Sequence, residues 1–456
     1  MARRMLIINV ASLSPREVTD QTPNLRALAQ RGGLYPVREP FPSLTSSSHA
    51  TLLYGTLPSS HGMIGNCLYS REYAKLFNWN RSSHLISGTP LWEAAREREP
   101  GLRTASLFMR HSADSTCDVR VIERPVYWVS GRKQFEFFAE TRALHDELVA
   151  KLGSFPFQKF WGPMAGIGSS EWIIGAALHI MERQDPELML VYPPFLDYDG
   201  ARFGPDAPQT HAALRAMDAA ILPLLAAAQS QGRDVLIVSD YGYETVNQPV
   251  YLNRELRRAG FVNVEEAANG ERLDFGTSRA FAVCDNQVAH VYVAREEDIP
   301  RVRAVLEATS GVKEVLDKAA QAPLGIAHPR SGELIAVSTP QAFFSYPYWL
   351  DEDNAPDFAD CVAIFDKVGT DTCELFLKPG MAGKLHLAKR LAQLVAGLKV
   401  PYNIIDTNDL NVRGARRIAR DDPQRGATAI SSWDLGRPGP VPLEDVKDLV
   451  LQRMFS

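Results

Sequence analysis

Short, wholly apolar runs recur along the chain, and each is followed by a stretch with the 3.6-residue rhythm of a helix. MLIINVA (5–11), LMLVYPP (188–194) and DVLIVSD (234–240) are the clearest of these runs. A strand buried on both faces needs a short, uninterrupted apolar stretch. Its alternation with helical segments predicts a mostly parallel sheet covered on two sides. TPNLRALAQRG (22–32) reads as a helix with Thr22 as N-cap, Pro23 in the first turn and Gly32 past the end. Residues 206–232 form a longer helical stretch, which Pro223 is expected to kink. The pattern predicts an α/β fold, a doubly wound and mostly parallel sheet.

The rhythm changes twice. Residues 66–165 carry many aromatics, including FPFQKFWGP, and read as loops and short elements at a pocket mouth inserted into a first core segment, 1–252. The aromatics there are expected to be core more than ligand-binding, as aromatic clusters usually are. Residues 290–317 read as strand, helix and strand, the centre of an inserted α+β cap over 253–328. Residues 329–456 then return to the core, with LIAVS (334–338) rejoining the main sheet and PLEDVKDLVLQRMF (442–455) docking as a terminal helix.

At 456 residues the chain has room for one large domain carrying such an insertion. Its net charge of −5 gives no electrostatic case for nucleic acid or for an anionic membrane as partner. No stretch reads as a membrane span, and the apolar run near the N-terminus is too short for a signal peptide and fits a first buried strand. Cys67, Cys117, Cys284, Cys361 and Cys373 form no CxxC pair. Their odd number and spacing suit reduced thiols, so a cytoplasmic location is expected.

Candidate chemistry begins in FPSLTSSSHATLLYGTLPSSHGMIGN (41–66), which places Thr45 at a strand-to-helix turn. Backbone N–H groups at a helix start favour anions, so a phosphate could lie beside the Thr45 hydroxyl. YPPFLDYDGARFGP (192–205) supplies Asp197 and Asp199, and VLIVSDYGYETV (235–246) supplies Asp240 at the end of a core strand.

These motifs, in this order, resemble the type I phosphodiesterase/nucleotide pyrophosphatase family of the alkaline phosphatase superfamily. Further runs, HPRSGEL (328–334) and APDFAD (355–360), resemble a bacterial subgroup of it. The resemblance implies an alkaline-phosphatase-like fold, a Thr nucleophile at Thr45 and two metal ions to activate it. It also shows what this chain has replaced. The family's first-strand Asp is Ala11 here, followed by Ser12, and the Asn of the nucleophile loop is Ser48. The ligand His four residues after Asp197 is Ala201, and the His after Asp240 is Tyr241. The best counterpart of the last ligand His lies in VRGARR (412–417), at Arg416, and Phe365 stands where the subgroup has another imidazole.

Thr45, Asp197 and Asp240 remain, a set with no imidazole or thiolate for zinc and suited at most to one weakly held hard cation. No metal or other cofactor is therefore expected. Thr45 reads as nucleophile, phosphate-orienting hydroxyl or turn residue. Asp197 and Asp240 read as a proton-sharing carboxylate pair or as two helix caps. Tyr241 is a proton donor or a packing residue, and Arg416 a phosphate-binding guanidinium or a solvated side chain. His49 is read as buttressing the loop and His328 as structural. Asp199 is an extra carboxylate of open direction, and Phe195 and Phe365 fill or wall the pocket. The expected function is a metal-independent, repurposed relative acting on a small, phosphorylated metabolite of a biosynthetic pathway. The alternatives are an inactive binding protein and a phosphodiester hydrolase with one weakly bound metal.

Overall fold

In the computed structural model, residues 2–129, 133–396, 398, 400–418 and 421–456 are described. Four parallel strands form the centre of a nine-stranded sheet: Thr104–Leu107, Leu188–Val191, Met5–Asn9 and Asp234–Val238, with Ile7 paired to Leu190 on one side and Leu236 on the other. Val119–Glu123 extends the parallel run, and Phe137–Ala139 closes that edge antiparallel. At the other edge Thr428–Ser431 pairs antiparallel with Asp234–Val238 and with Gly33–Arg38, and Val441–Pro442 lies outermost. Every residue of Met5–Asn9 and Leu188–Val191 is buried, as strands covered on both faces must be.

Helices Pro23–Arg31, Gly168–Arg183 and Pro208–Ser230 pack together as one cover, and Thr45–Tyr54, Leu91–Arg98 and Val446–Met454 as another. Pro208–Ser230 runs on through Pro223. By length and hydropathy it is the one described helix that could cross a membrane. Here it is a core helix, with Ile221 and Leu224 fully buried and Asp218 accepting the Leu25 N–H at 2.8 Å. The C-terminal helix buries Val450 and Met454 and fixes Asp234 through two hydrogen bonds from Arg453, at 2.7 and 2.9 Å.

A second, antiparallel sheet is ordered Ala280–Asp285, Val288–Val293, Leu334–Ser338, Val312–Leu316. LIAVS therefore does not return to the main sheet. Its Leu334 and Ala336 sit in a separate hydrophobic core with Ala282, Val291 and Leu306. The chain regains the main sheet only at Thr428–Ser431.

Gly414 shows how closely the layers approach: a Cβ there would lie 2.1 Å from the Gly200 carbonyl oxygen of helix Leu196–Phe203. Gly414→Ala is expected to cost about 1–3 kcal/mol in urea unfolding. Gly101→Ala, where a Cβ meets nothing within 4 Å, should change stability by no more than about 0.5 kcal/mol.

Candidate active site

The site lies at the carboxyl ends of the central strands, where open α/β sheets bind ligands. Thr45 is the first residue of helix Thr45–Tyr54, all of whose residues are buried. Hydrogen bonds hold this turn from several directions. Ser43 Oγ donates to the Arg417 carbonyl at 2.8 Å, Asn66 Oδ1 accepts the Ser46 N–H at 3.0 Å, and Ser48 Oγ donates to the Asp240 carbonyl at 2.9 Å. Ser12, Phe108 and His111, all close behind strand ends around the site, and Trp79 on the cavity wall have φ of 57°, 59°, 63° and 52°. Non-glycine residues in the left-handed region are costly and concentrate where a site is held in a fixed shape.

Asp197 is the hub. Its Oδ1 accepts hydrogen bonds from Tyr241 at 2.7 Å and Tyr243 at 2.8 Å, and its Oδ2 pairs with Arg416 Nη2 at 2.9 Å. The Thr45 hydroxyl lies 3.1 Å from the Tyr241 hydroxyl. Burial, together with Asp197 and Asp240, pushes the Tyr241 phenol well above its usual pKa, so it stays protonated. Because Tyr241 donates to Asp197, its oxygen is the acceptor for Thr45. Thr45 is thus a donor, and its own lone pairs are left free for the cavity.

Arg416 is buried, and its Nε and Nη1 have no partner. Two desolvated charged donors without acceptors are expensive, and they mark where an anion would be held. Its guanidinium lies 4.7 Å from the Tyr241 ring centre and 5.5 Å from that of Trp79. Trp79 also meets Arg110, at 5.4 Å, which pairs with Glu123 at 2.7 Å.

Asp240 belongs to a neighbouring cluster. Its Oδ1 accepts the Ser12 N–H at 3.3 Å, and its Oδ2 is 3.6 Å from His49 Nε2, both side chains being fully buried. His49 Nδ1 accepts the Arg110 N–H at 3.1 Å, which assigns the ring proton to Nε2, facing Asp240. Burial lowers the His49 pKa and keeps it neutral.

Thr45, Asp197, Tyr241 and Arg416 therefore converge. No contact joins Asp197 to Asp240 as a proton-sharing pair: Asp197 accepts from Tyr241, Tyr243 and Arg416, and Asp240 accepts from the Ser12 N–H, its buried Oδ2 facing His49 without a hydrogen bond. Asp199 does not join the site: it pairs with Arg202 at 3.2 Å. Phe195 is buried outside the cavity lining, whereas Phe365 lines it. Ser48 and His49 support Asp240 and do not reach the cavity. The aromatics expected in the core are also corrected in part, since Phe135, Phe157, Phe160 and Trp161 line the cavity. Tyr243, Trp79, Arg110 and Glu123 escaped sequence reasoning. Tyr243, two positions along from Tyr241, was open to detection as its same-side neighbour on an extended segment.

The residues present do not fit a two-metal centre. Asp197 already accepts from three side chains, Ala11 and Ala201 offer no ligand atom, and a guanidinium stands beside Asp197. Among the described residues, the one cluster with three close donor atoms is Asp371, Cys373 and Asp409. It is internally satisfied: Ser345 donates to Asp409 at 2.9 Å and Lys367 to Asp371 at 2.6 Å.

Removing one partner of a buried ion pair strands the other. Arg416→Met should therefore lower the unfolding free energy by about 3–5 kcal/mol in urea titrations, and adding Asp197→Asn should recover part of that loss. His49 binds its proton in the unfolded chain, at its usual pKa of 6.5, and not in the folded one. Wild type should therefore lose stability relative to His49→Gln as pH falls below about 6.5, by at most about 1.4 kcal/mol per pH unit, and the difference should be flat above it. Thermal melts across pH 5–8 would measure this.

Residues 5–367 match the family model for type I phosphodiesterase/nucleotide pyrophosphatase. A relative in Schizosaccharomyces pombe, an uncharacterized pyrophosphatase/phosphodiesterase, is 24% identical over 277 residues, covering 58% of this chain and 49% of its own. The chain thus spans about half the length of that curated relative. Among solved structures, phosphonoacetate hydrolase from Sinorhizobium meliloti, in complex with phosphonoformate, superimposes with a TM-score of 0.62 at 14% identity over 99% of this chain and 96% of that one. An inactive variant of murine ectonucleotide pyrophosphatase/phosphodiesterase 5, in complex with AMP, gives 0.61 at 12% identity over 99% and 95%. At these identities the likeness shows the alkaline-phosphatase-like fold. The family match covers most of the chain: this protein belongs to the type I phosphodiesterase/nucleotide pyrophosphatase family.

Proposed function

We propose that this family member acts on the phosphoryl, or similarly shaped anionic, group of a small metabolite without a resident two-metal centre. The observation that carries the reading is Arg416. Its buried guanidinium lines the same cavity as Thr45 and has two donors free, so it can supply the positive charge that metals supply in the family's scheme. The Arg110 Nε, also buried and unpartnered, adds a further donor on the same wall.

In this reading the Thr45 oxygen attacks phosphorus, forming the Oγ–P bond while the bond to the leaving oxygen breaks and that oxygen takes its electron pair. The Thr45 proton passes to Tyr241 as the Tyr241 proton passes to Asp197, along the chain of 3.1 and 2.7 Å contacts. The leaving oxygen takes a proton from water, and the hydroxide so formed attacks phosphorus in the second step, as the Oγ–P bond breaks with its electron pair on Thr45 and the proton on Asp197 returns to Thr45 through Tyr241. Asp240 and His49 hold the turn that presents Thr45 and do not exchange protons with the substrate.

Binding without turnover is the second reading. It is favoured by the saturation of Asp197, whose two oxygens already accept from Arg416 and two phenols.

Purified protein is expected to carry well under one equivalent of metal, with phosphate-ester binding and turnover indifferent to chelator. Stoichiometric zinc, or loss of activity with chelator, contradicts the proposal. On the best substrate from a panel of phosphomonoesters, diesters and phosphonates, Thr45→Ala and Tyr241→Phe should each lower turnover by at least about 100-fold. Unchanged binding with no turnover in wild type selects the second reading.

A further inference from the structure

The cavity changes character along its length. Thr45, Asp197 and Arg416, nearly buried, form the deep end, with Arg110 and Glu123 beside them. Outward from them the wall is built mainly from Phe135, Phe157, Trp161, Ile364 and Ile404, and the polar groups that the lining adds there among the described residues are Arg81, Gln158, Asp366 and the Tyr402 hydroxyl. Phe365 and Met164, 40% and 37% exposed, mark the mouth. A nucleoside body would bring ribose hydroxyls and base edges into this wall, where most would lose water without gaining a partner. An apolar body loses nothing there and gains from burial.

A second observation points the same way. Helix Gly380–Val395 is tied to the cavity wall through Asn403, which lies between the lining residues Tyr402 and Ile404. His386 Nε2 and Arg390 Nε contact Asn403 at 3.1 and 2.9 Å, so this polar side faces the protein. Met381 and Leu385 on the other side are 78% and 70% exposed. A surface helix ordinarily turns its apolar stripe inward. Here Met381 and Leu385 are left facing solvent instead, on the element that adjoins Tyr402 and Ile404 through Asn403.

We infer that the substrate is an anionic amphiphile: a phosphoryl head held by Arg416 beside Thr45, on an alkyl, isoprenoid or aryl body that runs along the apolar wall to the mouth. The inference rests on the proposed reading of Arg416 as the phosphoryl-binding group and adds the nature of the body. Each buried methylene should raise affinity about fourfold, up to the length that the cavity accepts.

Titration calorimetry in chelator-containing buffer, with inorganic phosphate, AMP and decyl phosphate below its aggregation threshold, tests this on the 456-residue chain. Decyl phosphate is expected to bind at least tenfold more tightly than AMP or inorganic phosphate, and Phe365→Ser, a change at the exposed mouth, should remove most of that preference. Arg416→Gln, studied alone and with Asp197→Asn added to recover stability, and under conditions where circular dichroism shows both variants folded, should weaken all three probes together. AMP binding as tightly as decyl phosphate, or a preference untouched by Phe365→Ser, overturns the amphiphile. If Arg416→Gln still weakens phosphate in that case, the reading of the head group stands. Equal affinities in wild type and Arg416→Gln overturn the head-group reading instead, and binding of none of the probes overturns both.

Discussion

The buried ion pair between Asp197 and Arg416 is the constraint on which the rest of the site depends. A carboxylate so deeply buried needs its charge compensated, and here the guanidinium at 2.9 Å and two phenol hydroxyls do so. That arrangement sets the direction of every hydrogen bond nearby. Tyr241 must donate to Asp197, so Thr45 must donate to Tyr241, and the Thr45 lone pairs are left facing the cavity. In the proposed reading Arg416 compensates the Asp197 charge that a metal ion compensates in the family's scheme, which ties the changes at Ala201, Tyr241 and Arg416 to one another. A lone change from imidazole to guanidinium would clash electrostatically with a metal beside it. Together the changes form a self-consistent set of neutral donors and one fixed cation.

Placing that pair takes both structural units. Strand Gly414–Arg416 pairs with Tyr243–Thr245, which aligns Arg416 with Tyr243, and the Arg416 N–H donates to Asn286 Oδ1 at 3.2 Å. Asn286 sits in the tight turn of the small sheet, next to Asp285, which accepts from Asn66. Asn66 in turn holds the Ser46 N–H beside Thr45. A single turn of the small sheet thus registers the Thr45 turn against Arg416, and residues 371 positions apart in sequence become one site.

Much of the fold was legible because burial on both faces of a strand leaves few choices of residue, as in MLIINVA and DVLIVSD. LIAVS was misplaced for the same reason: an apolar pentapeptide suits either sheet equally, and only partner strands decide. Within the site, Thr45, Asp197, Tyr241 and Arg416 were legible because they occupy positions in recognisable motifs. Asp199 was not separable from Asp197 by residue type. Two residues apart on a helix, their side chains point about 200° apart, and one meets Arg202 where the other meets Arg416. Trp79 and Arg110 lie in the aromatic insertion, where neither period nor motif reports which side chains turn inward. Long-range packing, including the left-handed backbone at Trp79, places them.

The most direct test of the central claim, that a guanidinium holds the anionic group where metals otherwise would, is a crystal structure of the protein grown with a divalent metal salt and orthovanadate. The account predicts vanadate at the deep end of the cavity, with Arg416 Nε and Nη1 donating to its oxygens, the Thr45 oxygen in line with vanadium, and no metal between Asp197 and Asp240. Metal ions bound by those two carboxylates, with Arg416 swung away from Asp197, would contradict it.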